Sequence, residues 1–469
     1  MSRQTHQACT SFLAGKLATI DGSPLIARNE DNGVAIWPKQ AVVHPATDNT
    51  NTTFISKNNG FTTTLPVHAA HYTAVPDSDS SEGDYAESGI NSHNVAMSAT
   101  ESAYANSRVL GVDPLVDDGI AEDAMVTVVL PYVDSAQAGV KRLGHLVETN
   151  GAAEASGVLF SDSDEVWYME IVSGHHWVAQ RIPDDMYAVV ANQLAIQDID
   201  FDRPGDFLTS ADIRHFVQAN HLNPDGNRFN SRHIFGTQTV FDAHYNTPRV
   251  WYGHKLFTPS AFENPIDQEL PFIRHAERKI SVPDVAELLG SHYQETPYDP
   301  LGDGTETERH LYRAIGLSRT ENSHILQIRR HVVPQLAGLI WQCLGNPAFN
   351  PYVPLYANGD QLNPAYAADN QQFSPQNPYW AGKLLEDLSE THYHQNRQLI
   401  ADFLKRTQSL GIQRVTAGDA LTTTDDASLG HFNADTAQRF ATEIENQAGK
   451  LLCANAEQSQ LSFTMDQNL

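Results

Sequence analysis

The sequence predicts an α+β fold, and three observations carry that prediction. Two β-type runs open the chain, one beginning at Cys9 and one ending at Arg28 to Asp31, with a turn signal at Asp21-Gly22 between them. Four further runs crowd between Gly157 and Val190, separated by turn clusters at 161–164, 173–174 and 183–185. Helical periodicity fills 119–149 and returns after Tyr379. Strands early and in the middle, with helices between and after them, fit stacked antiparallel sheets with helices outside.

The 469 residues can bury a substantial core, and 41% of them are hydrophobic. Acidic residues number 57 against 30 basic ones, a formal charge of −27 that repels polyanions, so nucleic acid is not expected as a partner. No apolar run approaches the ~18 residues of a membrane helix. Three cysteines, at 9, 343 and 453, make neither a disulfide framework nor a paired metal spacing. The leader Ser2 to Ala8 is polar and lacks the apolar stretch of a secretory signal, which with the odd cysteine count fits the cytoplasm.

Along the chain, 34–75 carries short β-like runs at Ala41 to Val43 and Thr62 to Val67. His68 and His71 lie three apart without the glutamate of a His-Glu-x-x-His helix, so they read as structural or surface residues. Val75 to Glu87, rich in Asp, Ser and Gly, reads as an exposed loop that either borders a site or acts as a mobile lid. Gly89 to Glu101 is a turn leading into an alternating strand that ends on a carboxylate. Asp134 or Ser135 caps the second helix of 119–149, and the four runs of 157–190 read as an antiparallel meander. Asp162 and Asp164 lack the further oxygen ligands of a calcium loop. Residues 204–221 read as a helix carrying Arg214, and Thr247 to Trp251 as a strand carrying Arg249 into a pocket. A helical element follows within Pro271 to Tyr293, with Val282 to Leu289 periodic, then strands at 324–329 and 339–343, where Cys343 is a core residue. Asn346 to Tyr379 is a long irregular connection, and helices at Tyr379 to Leu410 and Ala434 to Cys453 close the chain. His392 and His394, two apart, face different sides of a helix. No Walker loop, dinucleotide fingerprint or Gly-x-Ser-x-Gly elbow occurs.

Cys9 is the candidate nucleophile. A cysteine needs a nearby base or a lowered pKa, and removal of the eight residues before it would supply a base on the same residue. The α-amino group so exposed has a reference pKa of about 7.7–8.0, low enough to accept a thiol proton. Geometry constrains the partner strand. A two-residue turn at Asp21-Gly22 would leave Arg28 about 20 Å along the strand from Cys9. A looser loop centred near Thr19 would set Arg28 across from Thr10, and the catalytic reading predicts that loop.

Cys9-Thr10, Asp21-Gly22-Ser23, Ala27-Arg28-Asn29-Glu30-Asp31 and the later Val95-Ala96-Met97-Ser98-Ala99-Thr100-Glu101 together resemble the C69 dipeptidase family. That family belongs to the N-terminal-nucleophile hydrolases, with the choloylglycine hydrolases and penicillin V acylases as relatives. The resemblance implies a four-layer αββα fold with extra C-terminal helices. It also implies a propeptide over 1–8 and one catalytic domain over 9–469, with helical elaboration from about 380. It implies dipeptide substrates, no metal and no organic cofactor. In this reading Arg28 lowers the thiol's pKa, Asp31 orients the new α-amine and Asn192, after the meander's last strand, donates to the oxyanion. Glu101 would bind the substrate's α-amine, and Arg249 or Arg214 would be a second functional arginine. Acyl-amide hydrolysis on the same scaffold and an uncut, inactive binding protein are the alternatives. Oligomeric state, a homo-oligomer included, stays open.

Overall fold

The computed structural model describes residues 9–367 and 371–459. The leader Met1 to Ala8 and the end of the polar tail lie outside the described residues. Two large antiparallel sheets dominate. The first has seven strands in the order Ile273–His275, Met186–Val190, Thr10–Ala14 (β1), Leu25–Asp31 (β2), Thr320–Ile328, Gly338–Leu344 and Val353–Tyr356. The second has eight, in the order Phe207–Thr209, Trp177–Ile182, Val166–Ile171, Ser156–Ser161, Ala96–Ser102, Ser88–Asn91, Tyr72–Ala74 and Val42–His44.

β1 and β2 are buried along their whole length, the charged end of β2 from Arg28 to Asp31 included. Their two faces serve different layers. Leu13 and Ile26 join Leu159, Tyr168, Val178, Leu326 and Ile328 in a core between the sheets. Phe12, Ala14, Leu25 and Ala27 pack on the other side with Tyr252, Val285 and Leu288, residues of helices Thr247–Phe257 and Val282–Leu289. Helices Glu122–Val129 and Ala136–Asn150 cover the outer face of the second sheet through Met125, Val140 and Leu143. Ser135 caps the latter helix by accepting from the Ala138 amide.

The β1–β2 connection is the looser loop. Ala14 pairs with Leu25, and Arg28 stands opposite Ser11, one residue from the expected Thr10. The meander is shorter than its four runs suggested. Ser156–Ser161, Val166–Ile171 and Trp177–Ile182 are neighbours in the second sheet, but Met186–Val190 crosses over and pairs with β1 in the first. That crossing delivers Asn192 to the end of β1.

Other segments differ from the sequence reading for local reasons. Thr247 to Trp251 begins a helix, with Pro248 in its first turn where a missing N–H is harmless. The helix in 204–221 is confined to Ile213–Ala219, and a short edge strand precedes it. Within Pro271 to Tyr293, by contrast, the periodic stretch read from the sequence is the helix, Val282–Leu289, started by a Ser281/Asp284 capping box. The long connection contains the edge strand Val353–Tyr356, and the closing helices run Pro378–Thr391, Tyr393–Asp419 and Asp426–Glu457. Among the described residues no helix is long and apolar enough to cross a membrane.

Gly253 marks where the helix carrying Arg249 meets the first sheet: a Cβ there would lie 2.5 Å from Val189 Cγ2. Overpacking of this kind costs roughly 1–3 kcal/mol. Gly253→Val is expected to lower the urea unfolding midpoint correspondingly, and an unchanged midpoint would show that the contact yields freely.

Candidate active site

Alternation along β2 sorts its polar residues. Ile26, Arg28 and Glu30 face the second sheet, while Asn29 faces the helix layer and donates to the Leu289 carbonyl at 2.9 Å. Arg28 is fully buried, and its donors have acceptors on both sheets. Nε donates to Ser98 Oγ at 2.9 Å, Nη1 to the Thr100 carbonyl at 2.6 Å and to Cys9 Sγ at 3.1 Å. Nη2 donates to Glu87 Oε2 at 2.9 Å and to the Ala99 carbonyl at 3.0 Å. A buried guanidinium demands a counter-charge, and Glu87 provides it.

Glu87 is shared. Lys39 Nζ lies 3.2 Å from its Oε1, 2.7 Å from Asp77 Oδ1 and 3.4 Å from Glu30 Oε2, all buried. Val75 to Glu87 is therefore not an exposed loop throughout: residues 79–82 are exposed, but Asp77 and Glu87 are anchored inside by Lys39. Carboxylate oxygens of Glu30, Glu87 and Glu321 come within 4.8 Å of one another, close enough for a metal. The Lys39 ammonium already supplies positive charge at Glu30 and Glu87.

Cys9 sits one residue before β1, 4% exposed. Burial pushes its thiol well above the ordinary range; Arg28 pulls it back, and Glu101, Glu87 and Glu122 push it further up. Arg28 thus acts in the expected direction, but desolvation outweighs it.

Glu101 reaches the same space through a bulge. Ser98 faces Arg28, so strict alternation would send Thr100 inward and Glu101 outward. The register shift between Ala99 and Glu101 reverses this. Thr100 Oγ1 donates outward to Glu122 Oε1 at 2.8 Å, and Glu101 turns inward to accept from Ser11 Oγ. Glu101 is fully buried, its Oε1 has no hydrogen-bond partner among the described residues, and burial lifts it to about 7 against the pull of Arg249.

On the far side of Cys9, Arg249 is also fully buried. Its Nη1 donates to the Cys9 carbonyl and to Thr10 Oγ1 at 2.9 Å, and its Nη2 to Asn192 Oδ1 at 2.8 Å and Asn246 Oδ1 at 2.7 Å. Because a guanidinium only donates, these bonds fix the Asn192 amide with its oxygen toward Arg249. One Nδ2 hydrogen of Asn192 goes to the Ser102 carbonyl at 3.0 Å. Asp31 accepts from Arg313 and from Thr320 Oγ1, and Arg313 Nη1 reaches Thr10 Oγ1 at 3.3 Å. Arg214 lies apart from this cluster, exposed, with its guanidinium 4.9 Å from the Phe201 ring centroid.

The structure therefore gathers Cys9, Arg28, Glu101, Asn192 and Arg249 around one strand end, with Asp31 joined through Arg313. Lys39, Glu87 and Arg313 were not singled out from the sequence. Arg313 and Lys39 stand in irregular segments with no periodicity to mark them; Glu87 closes a stretch whose composition signals exposure.

A model described as peptidase family C69 matches residues 8–406. A probable dipeptidase of Latilactobacillus sakei is 46% identical over 465 residues, 98% of each chain. Dipeptidase A of Lactobacillus helveticus is 44% identical over 391 residues, 82% of each chain, and a dipeptidase of Bifidobacterium longum is 38% identical over 471 residues, 94% of this chain and 87% of its own. The chain belongs to peptidase family C69.

Glu101 makes stability depend on pH. Its folded-state value lies above the ordinary 4.5, so the stability tied to its protonation is complete below that pH and is lost as pH rises through about 7. Glu101→Gln removes this loss and is expected to stabilise the protein relative to wild type at pH 8, by up to about 3 kcal/mol, with little difference at pH 4. Urea unfolding at both pH values checks this; parallel pH curves for the two proteins would refute it.

Proposed function

We propose that this chain, a dipeptidase of family C69, cleaves its substrate with Cys9 after residues 1–8 are removed. Its fold in this reading is the αββα arrangement of the N-terminal-nucleophile hydrolases, with residues 9–469 as one catalytic domain elaborated by helices from about 380. The observation that carries the reading is the 3.1 Å contact between Arg28 Nη1 and Cys9 Sγ at the start of a central strand. Core clusters between and outside the two large sheets support the layering. The names of the relatives support the substrate class.

The chemistry follows from the neighbours. The freed α-amine of Cys9 takes the thiol proton, through water, and Arg28 stabilises the thiolate. The sulfur attacks the peptide carbonyl, whose oxygen gains charge and accepts from the second Nδ2 hydrogen of Asn192. One fixed donor of this kind is worth roughly 2.7–4 kcal/mol. Arg249 holds Asn192 in place, and Asp31, through Arg313 and Thr10, orients the start of β1 and with it the amine. The leaving amine takes the proton, the C–N bond breaks, and water then hydrolyses the thioester to restore the thiol. Glu101, whose Oε1 has no hydrogen-bond partner among the described residues, pairs with the substrate's α-ammonium. All three cysteines are free, in keeping with a reducing cytoplasm.

Intact-mass analysis of active protein is expected to show a chain beginning at Cys9. Cys9→Ala should retain its leader and lose dipeptide turnover by roughly 10³-fold or more, whereas Cys343→Ala, altered in the core of the Gly338–Leu344 strand, should keep turnover. Fully active protein with Met1 or Ser2 at its terminus would contradict the amine's role.

A further inference from the structure

Of the groups that accept from Arg28, the carbonyls of Thr100 and Ala99 and the Glu87 carboxylate carry no hydrogen of their own. Ser98 does. A serine hydroxyl has one hydrogen and two lone pairs, and turning that hydrogen toward a guanidinium would set two donors against each other. Arg28 Nε stands 2.9 Å from Ser98 Oγ and can only donate, so the Ser98 hydrogen has to point elsewhere. His324 Nε2 stands at the same 2.9 Å from Oγ.

Register brings the three together. His324 is the residue of Thr320–Ile328 that pairs with Arg28 on β2, so both side chains leave the first sheet on one face, and Ser98 meets them from the second sheet. Ser98 and His324 are fully buried, where bulk water does not compete for the hydrogen. The far side of the ring decides which nitrogen is protonated. Nδ1 is 3.2 Å from Glu30 Oε1, an ion-pair distance without hydrogen-bond alignment. Burial opposes the Glu30 carboxylate, but Lys39, then His324 and Arg28, hold its carboxyl well below the usual range. An ionised carboxylate only accepts, so the ring hydrogen on that side belongs to Nδ1. Burial keeps the imidazole below its ordinary 6.5 against the pull of Glu30 and Glu87, and Arg28 adds to the lowering. A neutral ring with its hydrogen on Nδ1 leaves a lone pair on Nε2.

We infer that His324 is a positioning residue for Arg28, acting through Ser98: its Nε2 takes the Ser98 hydroxyl hydrogen, so that a lone pair of Ser98 faces Arg28 Nε and the planar guanidinium is held with Nη1 on the Cys9 sulfur. The inference rests on the reading of Cys9 as nucleophile and adds two residues to it. The guanidinium is rigid, so fixing Nε fixes the direction of Nη1.

Neutron diffraction of the wild-type protein is expected to show hydrogens on His324 Nδ1 and on Ser98 Oγ toward Nε2; a hydrogen on Nε2 overturns the inference whatever the variants do. In processed enzyme, His324→Leu, which offers no acceptor, is expected to lower kcat by roughly 10- to 100-fold with KM little changed. The pH midpoint of Cys9 alkylation, followed by mass spectrometry of the Cys9 peptide, should rise by about 1 unit. His324→Gln, whose Oε1 can accept from Ser98, should restore part of both effects. Added to Ser98→Ala, His324→Leu should cost no more than about a further twofold, since one bond is lost in either case. Rates are taken per alkylatable Cys9, so misfolded molecules do not count. Unchanged kcat and midpoint in His324→Leu, equal losses in the Leu and Gln variants, or a full additional loss in the double variant each overturn the inference. Wild-type enzyme that cleaves dipeptides with Cys9 alkylated would instead overturn the nucleophile reading, leaving the hydrogen positions as stated.

Discussion

The guanidinium of Arg28 lies between two sheets, out of reach of bulk water, and a cation in such a place persists only if the surrounding structure satisfies it completely. Its partners are Ser98, Ala99 and Thr100 on one sheet, Glu87 just before a neighbouring strand, and the sulfur of Cys9 on its own sheet. Those bonds fix the spacing and alignment of the sheets at the site. They also fix the sulfur. Position and electrostatics of the candidate nucleophile therefore follow from the same set of contacts.

Two small departures from regular strand geometry complete the arrangement. The bulge before Glu101 turns a carboxylate inward that alternation alone would turn outward. The crossing of Met186–Val190 into the first sheet brings Asn192 beside β1, where Arg249 holds it. Both are backbone events, and both bring a polar side chain to the start of β1.

Much of the fold was legible because its signals are local. Burial on both faces made β1 and β2 conspicuous, periodicity marked 119–149, and turn clusters delimited the strands of 157–190. The layer to which Met186–Val190 belongs was not legible, since pairing partners are chosen by tertiary contact and nothing in its five residues names a sheet. Arg249 stood out as a residue but its element was misread, because Pro248 serves equally as a strand-edge and a helix-start residue until its surroundings are known. Residues that reach the start of β1 from far along the chain, Arg313 above all, have no periodic or motif context. The expected exposure of 75–87 failed for a related reason: its composition is polar, but Asp77 and Glu87 are polar because they face Lys39.

Lys39 gives this interior a counter-ion that is tethered to the backbone. A dissociable ion could be competed away by buffer components or stripped by a chelator; an ε-ammonium on its own side chain cannot. Charge on the surface is open to screening by dissolved salt, whereas pairs sealed from solvent are screened far less. The field felt by the sulfur is accordingly insulated from the ionic strength outside, and the outer surface can vary in charge without retuning it.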